Sequence, residues 1–257
     1  MKHTFRYLVA GRPTHGDVVR LAPSDAHHLA RVVRRTPGDP VEIVDAAGLI
    51  WPAVVESTED EVTVRVLPGP RPGPAPAPVV LFQGLAEWNR IDTVVEKCAE
   101  LGIPRIVMMT TDRARRVPEP DAWRRRRERM LRVAEAAARQ SGQGHLPRVE
   151  GLLTLDAALE RGRDTELVML DPSGERPLDD VLRSRPPSVV PLGLMVGPDA
   201  GFSRAEVDRA RTAGVTVCTV GAGILRAETA ALVAVTLALA AGGHLARFPL
   251  TPPPTPE

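Results

Sequence analysis

Two stretches near the carboxyl end decide how this chain folds: residues 192–207, LGLMVGPDAGFSRAEV, and residues 215–234, VTVCTVGAGILRAETAALVA. Each opens with an apolar run, turns through a glycine-rich segment and continues into a helical pattern. A strand that is apolar throughout is buried on both faces, as in a parallel sheet. Glycines at a strand exit permit positive φ and let the backbone approach a ligand closely. In the first stretch Ser203 and Glu206 form the S-x-x-E capping box of a helix predicted over 204–213, and Gly214 stands past its end. In the second, 215–220 reads as a strand, and an apolar helix is predicted over 227–241.

The same alternation extends upstream. Residues 79–85, 105–111 and 166–170 are strand candidates. Helices are predicted over 90–101, closed by Gly102, over 121–140, ended by Ser141-Gly142, and over 154–160. Strands alternating with helices argue for an α/β fold, a parallel sheet covered on both faces. Residues 68–78, PGPRPGPAPAP, can hold neither a helix nor a central strand and read as a linker. Before it, 41–44 and 62–67 are β-rich, Gly38-Asp39 and Ala47-Gly48 look like turns, and a short helix over 27–35 would have Ser24 as its N-cap. The expected organisation is a mainly β domain over 1–67, a linker over 68–78, an α/β domain over 79–248 and a disordered tail over 249–257.

Composition narrows the class. In 257 residues, 33 Lys and Arg face 32 Asp and Glu, 43% are hydrophobic and 25% charged. These values exclude a disordered, collagen-like or strongly acidic chain. Lys2 and Lys97 are the only lysines, a bias that GC-rich coding would produce. It leaves many planar guanidinium forks suited to phosphate. Cys98 and Cys218 are too few for a zinc site or a disulfide framework and read as core residues. The amino terminus lacks the apolar run of a signal peptide, and the apolar stretch 230–243 is shorter than the ~18–20 residues that span a bilayer. A cytoplasmic location is expected.

Ligands of open α/β sheets bind in the loops beyond the carboxyl ends of the strands. Three such loops stand out: 170–174 (LDPSG), 197–201 (GPDAG) and 221–226 (GAGILR). Each could be a tight turn, or together they could form one composite site. The third reads G-x-G-x-x-R, a poor dinucleotide fingerprint because Arg226 replaces the last glycine and no ribose-binding acid follows. Neither a P-loop nor a G-x-S-x-G nucleophile elbow occurs. His27, His28 and Asp25 are too local for a metal cluster. Arginines 113, 115, 116, 124, 125, 126, 127, 129 and 132 face only Asp112, Glu119, Asp121 and Glu128, a local excess of about five positive charges. Such a cluster suits phosphate contacts with nucleic acid, or it is a solvated helix face with pairs such as Arg124–Glu128.

The segments VGPDAGFSRAEV (196–207) and VGAGILRAETAALVA (220–234) resemble the G-P-E-G-G-F-S-x-x-E and L-G-x-x-I-L-R-x-E-T-A signatures of the ribosomal RNA small subunit methyltransferase E family, uridine-N3 methyltransferases of the SPOUT class. VVEKCAELGIPRIV (94–107), VAEAAARQSGQGHLPRV (133–149), RYLV (6–9) and HLARVVR (28–34) with Gly38-Asp39 support the match in the right order along nearly the whole chain. The resemblance implies a PUA-like β-barrel ahead of a SPOUT-type parallel sheet with a C-terminal trefoil knot, working as a homodimer. It implies S-adenosylmethionine as cofactor, held by Leu170, Asp171, Pro172, Val196, Gly197, Pro198, Gly201, Val220, Gly221, Gly223, Ile224 and Leu225, with Thr229 nearby as a cap of the last helix. The partner implied is 16S ribosomal RNA in the small subunit, with Arg6, Arg31 and Arg34 of the barrel as RNA contacts; Arg113, Arg115 and Arg116, which precede the long helix in a loop after a strand, are the RNA contacts expected from the charge cluster. No metal and no membrane enter.

Arg226 is the catalytic candidate, since a guanidinium suits the uracil oxyanions that form when N3 loses its proton. The alternative for Arg226 is to pair with Glu228 or Asp199 as a brace, and Glu228 could orient it. The chain departs from the family pattern at Asp199-Ala200 in place of Glu-Gly, at Glu87 in place of a lysine and at Gln143 in place of an arginine. Ala200 raises the question of backbone strain, because a non-glycine residue resists positive φ. Three other functions stay open: a non-catalytic RNA-binding or ribosome assembly factor on this scaffold, a methyltransferase for another RNA base, and an oxidoreductase holding a dinucleotide in the glycine loops.

Overall fold

The computed structural model describes residues 5–73, 75–114, 117–185, 190–221 and 223–245. The described residues form two compact units: one holds those up to Ala75 together with Ala138–His145, the other Pro76–Ala137 and residues 146–245. The expected tail over 249–257 lies outside the described residues.

In the first unit the elements are β1 (Arg6–Leu8), β2 (Val18–Arg20), α1 (Pro23–His27), β3 (Pro40–Val44), β4 (Leu49–Ser57), β5 (Thr63–Val66) and β6 (Arg71–Pro72). They build a curled sheet in the order β1-β3-β4-β5-β2, with β6 paired to β4. Period-two alternation sends Val41 and Ile43 of β3, Ala53 and Val55 of β4, and Val64 and Val66 of β5 into one core with Tyr7 and Leu29. Inside the proline-rich stretch, Arg71–Pro72 pairs with Leu49 and Ile50, and Arg71 reaches Glu42 at 2.6 Å. The helix expected over 27–35 differs. It starts at Pro23 with Ala22 as N-cap, not Ser24, and passes at His28 into a π-helical turn, His28–Val32. Pro23 explains the start, because its fixed φ and missing N–H suit the first helical position. The Ser24 hydroxyl instead accepts a hydrogen bond from Arg139 at 3.0 Å.

The second unit holds β7 (Val79–Gly84), α2 (Trp88–Glu100), β8 (Arg105–Thr110), most of α3 (Pro120–Ser141), β9 (Arg148–Thr154), α4 (Leu155–Arg161), β10 (Glu166–Leu170), β11 (Arg176–Pro177), α5 (Leu178–Ser184), β12 (Leu192–Val196), α6 (Arg204–Thr212), β13 (Thr216–Thr219) and α7 (Ala227–Ala241). Its seven strands are parallel, in the order β11-β13-β10-β12-β7-β8-β9. Residues of α2, α3, α5 and α7 pack on one face, with Ile91, Met130, Val181 and Val235 in that core. Leu155 and Ala158 of α4 and Val207 and Ala210 of α6 close the other. The central strands β7 and β12 are buried along their whole length, as their apolar runs predict. The Ser203–Glu206 capping box forms in both directions.

Both cysteines lie fully buried in this unit. Burial pushes each thiol up to about 12, because a thiolate there would lose its hydration. Cys98 and Cys218 should therefore resist a thiol reagent at pH 8 in the native protein and react once it is unfolded; native-state labelling on the minute scale would contradict this burial. The sign for stability follows. The folded state keeps these protons to higher pH than the unfolded chain, so their contribution is intact below the ordinary thiol value and falls away as pH climbs from about 9 to about 12.

Candidate functional site

The order β13-β10-β12-β7 sets four strands side by side and all pointing the same way. Their ends line up: Leu170 pairs with Val196 and with Cys218, and Val196 pairs with Gln83. The three glycine loops picked out in the sequence therefore leave one edge of one sheet, joined by a fourth segment, Gly84 to Glu87.

Each loop has a local reason for its shape. In the first, the Asp171 carboxylate accepts from the Ser173 N–H at 2.9 Å and from its hydroxyl at 2.7 Å, and the Asp171 N–H donates to the Cys218 carbonyl at 3.0 Å. A Cβ on Gly174 would stand 2.4 Å from the Cys218 backbone, so only glycine fits against β13. In the second loop the Gly201 N–H donates to the Pro198 carbonyl at 2.8 Å, and Gly201 takes φ +70°. Ala200 has no positive φ, so glycine at 201 absorbs the turn and the alanine is not strained. A Cβ on Gly84 would lie 2.6 Å from the Pro198 nitrogen. The third loop turns at Gly221, φ +73°, and carries Ile224 91% exposed. Leu225 is half-buried, and Gly223, Arg226 and Thr229 are exposed.

Arg226 is the N-cap residue of α7, with an extended backbone and no side-chain cap bond. Among the described residues it makes no ion pair. Its expected partners are taken by another cation: Arg90, in the first turn of α2, pairs with Asp199, reaches Glu228 at 3.8 Å and lies 3.7 Å from Glu87. Neither Glu228 nor Asp199 braces Arg226, and Thr229 lies inside α7 without capping it. The two carboxylate pairings fail because Arg90, distant in sequence, lies within ion-pair reach of both acids, and Thr229 does not cap because the N-cap position falls on Arg226. Glu87, where the family pattern has a lysine, becomes one more acid beside Arg90.

Two buried polar groups lie beneath the loops: Gln83 had no signal in the sequence, and Glu206 was legible only as half of a capping box. Gln83 ends β7 fully buried; its amide nitrogen donates to the Gly84 carbonyl at 3.0 Å, while Oε1 has no hydrogen-bond partner. Glu206, also fully buried, accepts from the Asp112 N–H at 2.8 Å and the Ser203 N–H at 2.7 Å, tying the loop after β8 to the start of α6. In that β8 loop Arg113 donates to the Ala200 carbonyl at 3.3 Å. Arg115 and Arg116 lie outside the described residues. In the first unit Arg31 and Arg34 are exposed, whereas Arg6 is held by Glu42 at 2.5 Å and by the Gly142 carbonyl at 2.6 Å.

A hollow of about 1010 Å³ elsewhere in the second unit is lined by Leu159, Leu167, Asp208 and Val215. It lies between α4 and α6 at the opposite, amino edge of the sheet, and the glycine loops take no part in it. No described helix is long and apolar enough to cross a membrane.

Fold and site together define a class: a parallel α/β domain of the SPOUT methyltransferase type, whose loops gather at one carboxyl edge. The family model for the RNA methyltransferase domain matches residues 73–239, and that for the RNA methyltransferase PUA domain matches 21–67. The chain belongs to this RNA methyltransferase family. It is 26% identical to ribosomal RNA small subunit methyltransferase E of Bacillus subtilis, over 82% of this chain and 85% of the relative. It is 28% identical to the protein of the same name from Mycobacterium bovis, over 89% and 88%. Ribosomal RNA small subunit methyltransferase E from Neisseria gonorrhoeae, solved bound to S-adenosylmethionine, superposes with a TM-score of 0.81 at 24% identity, covering 93% of this chain and 98% of that one. A Legionella pneumophila methyltransferase solved with the same cofactor gives 0.82 at 24% identity, with 93% and 98% covered. These two likenesses speak for the fold.

Proposed function

We propose that this chain transfers the methyl group of S-adenosylmethionine to N3 of a uridine in 16S ribosomal RNA of the small subunit. Family membership supports the reaction class, and the names of the relatives support the ribosomal substrate. The observation that carries the reading is the convergence of three loops on one sheet edge, with an exposed guanidinium, without an ion pair among the described residues, at the exit of the third.

The residues at this edge fit the cofactor. Bare backbone is offered at Gly201, Gly221 and Gly223, where a Cβ would meet nothing within 4 Å. The buried Oε1 of Gln83 is an acceptor still without a donor. Leu170, Asp171, Pro172, Val196, Gly197, Pro198, Gly201, Val220, Gly221, Gly223, Ile224, Leu225 and Thr229 would hold it. When bound, S-adenosylmethionine supplies a methyl group on an electron-poor sulfonium sulfur.

The protein's own task is placement and charge. Uridine N3 carries a proton and attacks poorly until it loses that proton, which leaves negative charge on the uracil oxygens. Arg226 answers that charge, and the amino end of α7 adds the positive end of a helix dipole. Holding N3 in line with the methyl carbon supplies much of the remaining acceleration. N3 lies on the Watson–Crick edge, so the target uridine must be unpaired or flipped out. Arg31, Arg34, Arg113, Arg115 and Arg116 would carry phosphate, and Arg6 would act more through its internal bonds.

A trefoil knot, domain limits near 67 and 79, a cytoplasmic location and a homodimer belong to the same reading. For the dimer, Leu232, Val233 and Leu237 of α7 keep part of their apolar surface uncovered.

Calorimetric titration with S-adenosylmethionine, with NADH as control, tests the site. Methylation of small subunits from a strain lacking this protein, followed by nucleoside analysis, tests the product. Binding of the first ligand alone and 3-methyluridine as product are expected. S-adenosylmethionine binding without transfer would instead favour an assembly factor. Replacing Arg113, Arg115 and Arg116 with alanine should lower the slope of log K for RNA against log salt by roughly two, at about 0.7 per phosphate contact on single strands. An unchanged slope would leave those arginines as solvated surface.

A further inference from the structure

We infer that Arg90 is a positioning residue of this site: it holds the loop after β12 against the first turn of α7 and, by engaging both Asp199 and Glu228, keeps those carboxylates off Arg226. The inference rests on the reading of the site given above.

Arg90 is well placed for both tasks. It stands at the start of α2 with its side chain 24% exposed, and it meets acids from three segments: Glu87 before α2, Asp199 in the second glycine loop and Glu228 after the third. Its Nη1 meets both Asp199 and Glu228 while Nε lies towards Glu87, a spread over one planar guanidinium that the point charge of an ammonium does not reproduce. Asp199 and Glu228 are themselves only 26% and 20% exposed at their side chains, so water cannot fully replace a lost cation. Glu228 also keeps an oxygen, Oε2, without any hydrogen bond. Without Arg90, two poorly hydrated carboxylates would remain, one of them two residues from Arg226. An Arg226 drawn into that pair could no longer turn its fork to the uracil oxygens. Arg90 thus acts through others, setting loop position and leaving the catalytic guanidinium free.

The test uses the full chain, with wild-type S-adenosylmethionine affinity and single-turnover methyl transfer on small subunits as reference. Arg90→Ala should lower kcat roughly ten- to a hundredfold, the scale of a small misplacement of reacting groups, and should weaken cofactor binding less. Arg90→Lys should recover part of the loss, and it carries the test if the alanine variant does not fold. The decisive variant adds D199N and E228Q to R90A. With the capturing charges gone, kcat should climb back towards wild type while cofactor affinity stays at the R90A level. Equal kcat in R90A and wild type would overturn the inference and leave the site reading standing, and so would a triple variant as slow as R90A. Loss of both reference signals in the wild type would instead remove the site reading and the inference together.

Discussion

Arg226→Ala is expected to lower kcat for methyl transfer by roughly 10²–10³-fold, the loss seen when one preorganised donor is taken from a developing oxyanion. S-adenosylmethionine affinity and thermal stability should stay close to wild type. The structure explains why the effects separate. Arg226 is exposed, makes no ion pair among the described residues and gives no cap bond to α7, so its removal breaks nothing in the fold. Arg226→Lys should fall between the two, since an ammonium keeps the charge but not the planar fork. Single-turnover transfer beside calorimetry and a thermal melt reads all three quantities. Wild-type turnover in the alanine variant would take Arg226 out of the mechanism, and a large fall in Tm would show that it braces the fold after all.

Much of the α/β unit was legible because its signals are local. The strands at 166–170 and 192–196 and the capped helix α6 follow from short apolar runs, one S-x-x-E pair and a closing glycine. Where a local rule pointed the wrong way, the element was missed. β4 contains Pro52, which argues against a strand, yet Pro52 faces Glu42 in the β3 pair without donating to it. β9 contains Gly151 at φ +92°, placed where the pairing with β8 slips between Val107 and Met109. A Cβ there would lie 2.3 Å from the Met108 carbonyl oxygen, so a tertiary contact chose the residue that hid the strand. α5 begins after Pro177 with no side-chain cap to announce it. The site divides the same way. Its glycine loops stand out in the sequence, whereas Gln83 and Arg90 acquire their roles only from residues more than a hundred positions away. The alternative in which Glu228 or Asp199 braces Arg226 fails because the packing of α2 brings Arg90 to both carboxylates.

The other large effect falls on Gly84, which carries no signature. Gly84→Ala is expected to destabilise the protein by about 1–3 kcal/mol, the usual cost of forcing a methyl group into a full space. It should also weaken S-adenosylmethionine binding by roughly tenfold or more, since about 1.4 kcal/mol of loop displacement suffices for that. The new Cβ would lie 2.6 Å from the Pro198 nitrogen and 2.8 Å from the Gly197 carbonyl carbon. These are backbone atoms at the head of the second glycine loop, and no rotamer change moves them aside. β7 and β12 are paired up to Gln83 and Val196, so the strands cannot separate, and the strain must pass into the loop. Gly84 has no positive φ, so the penalty is steric rather than conformational. Gly223→Ala is the control for stability, because a Cβ there meets nothing within 4 Å and its φ is ordinary; the melting temperature without cofactor should not move. If Gly84→Ala lowered stability yet bound S-adenosylmethionine as tightly as wild type, the 197–201 loop would have to be struck from the cofactor site. Weakened binding with the fold intact would tie that loop, through a single missing methyl group, to the ligand.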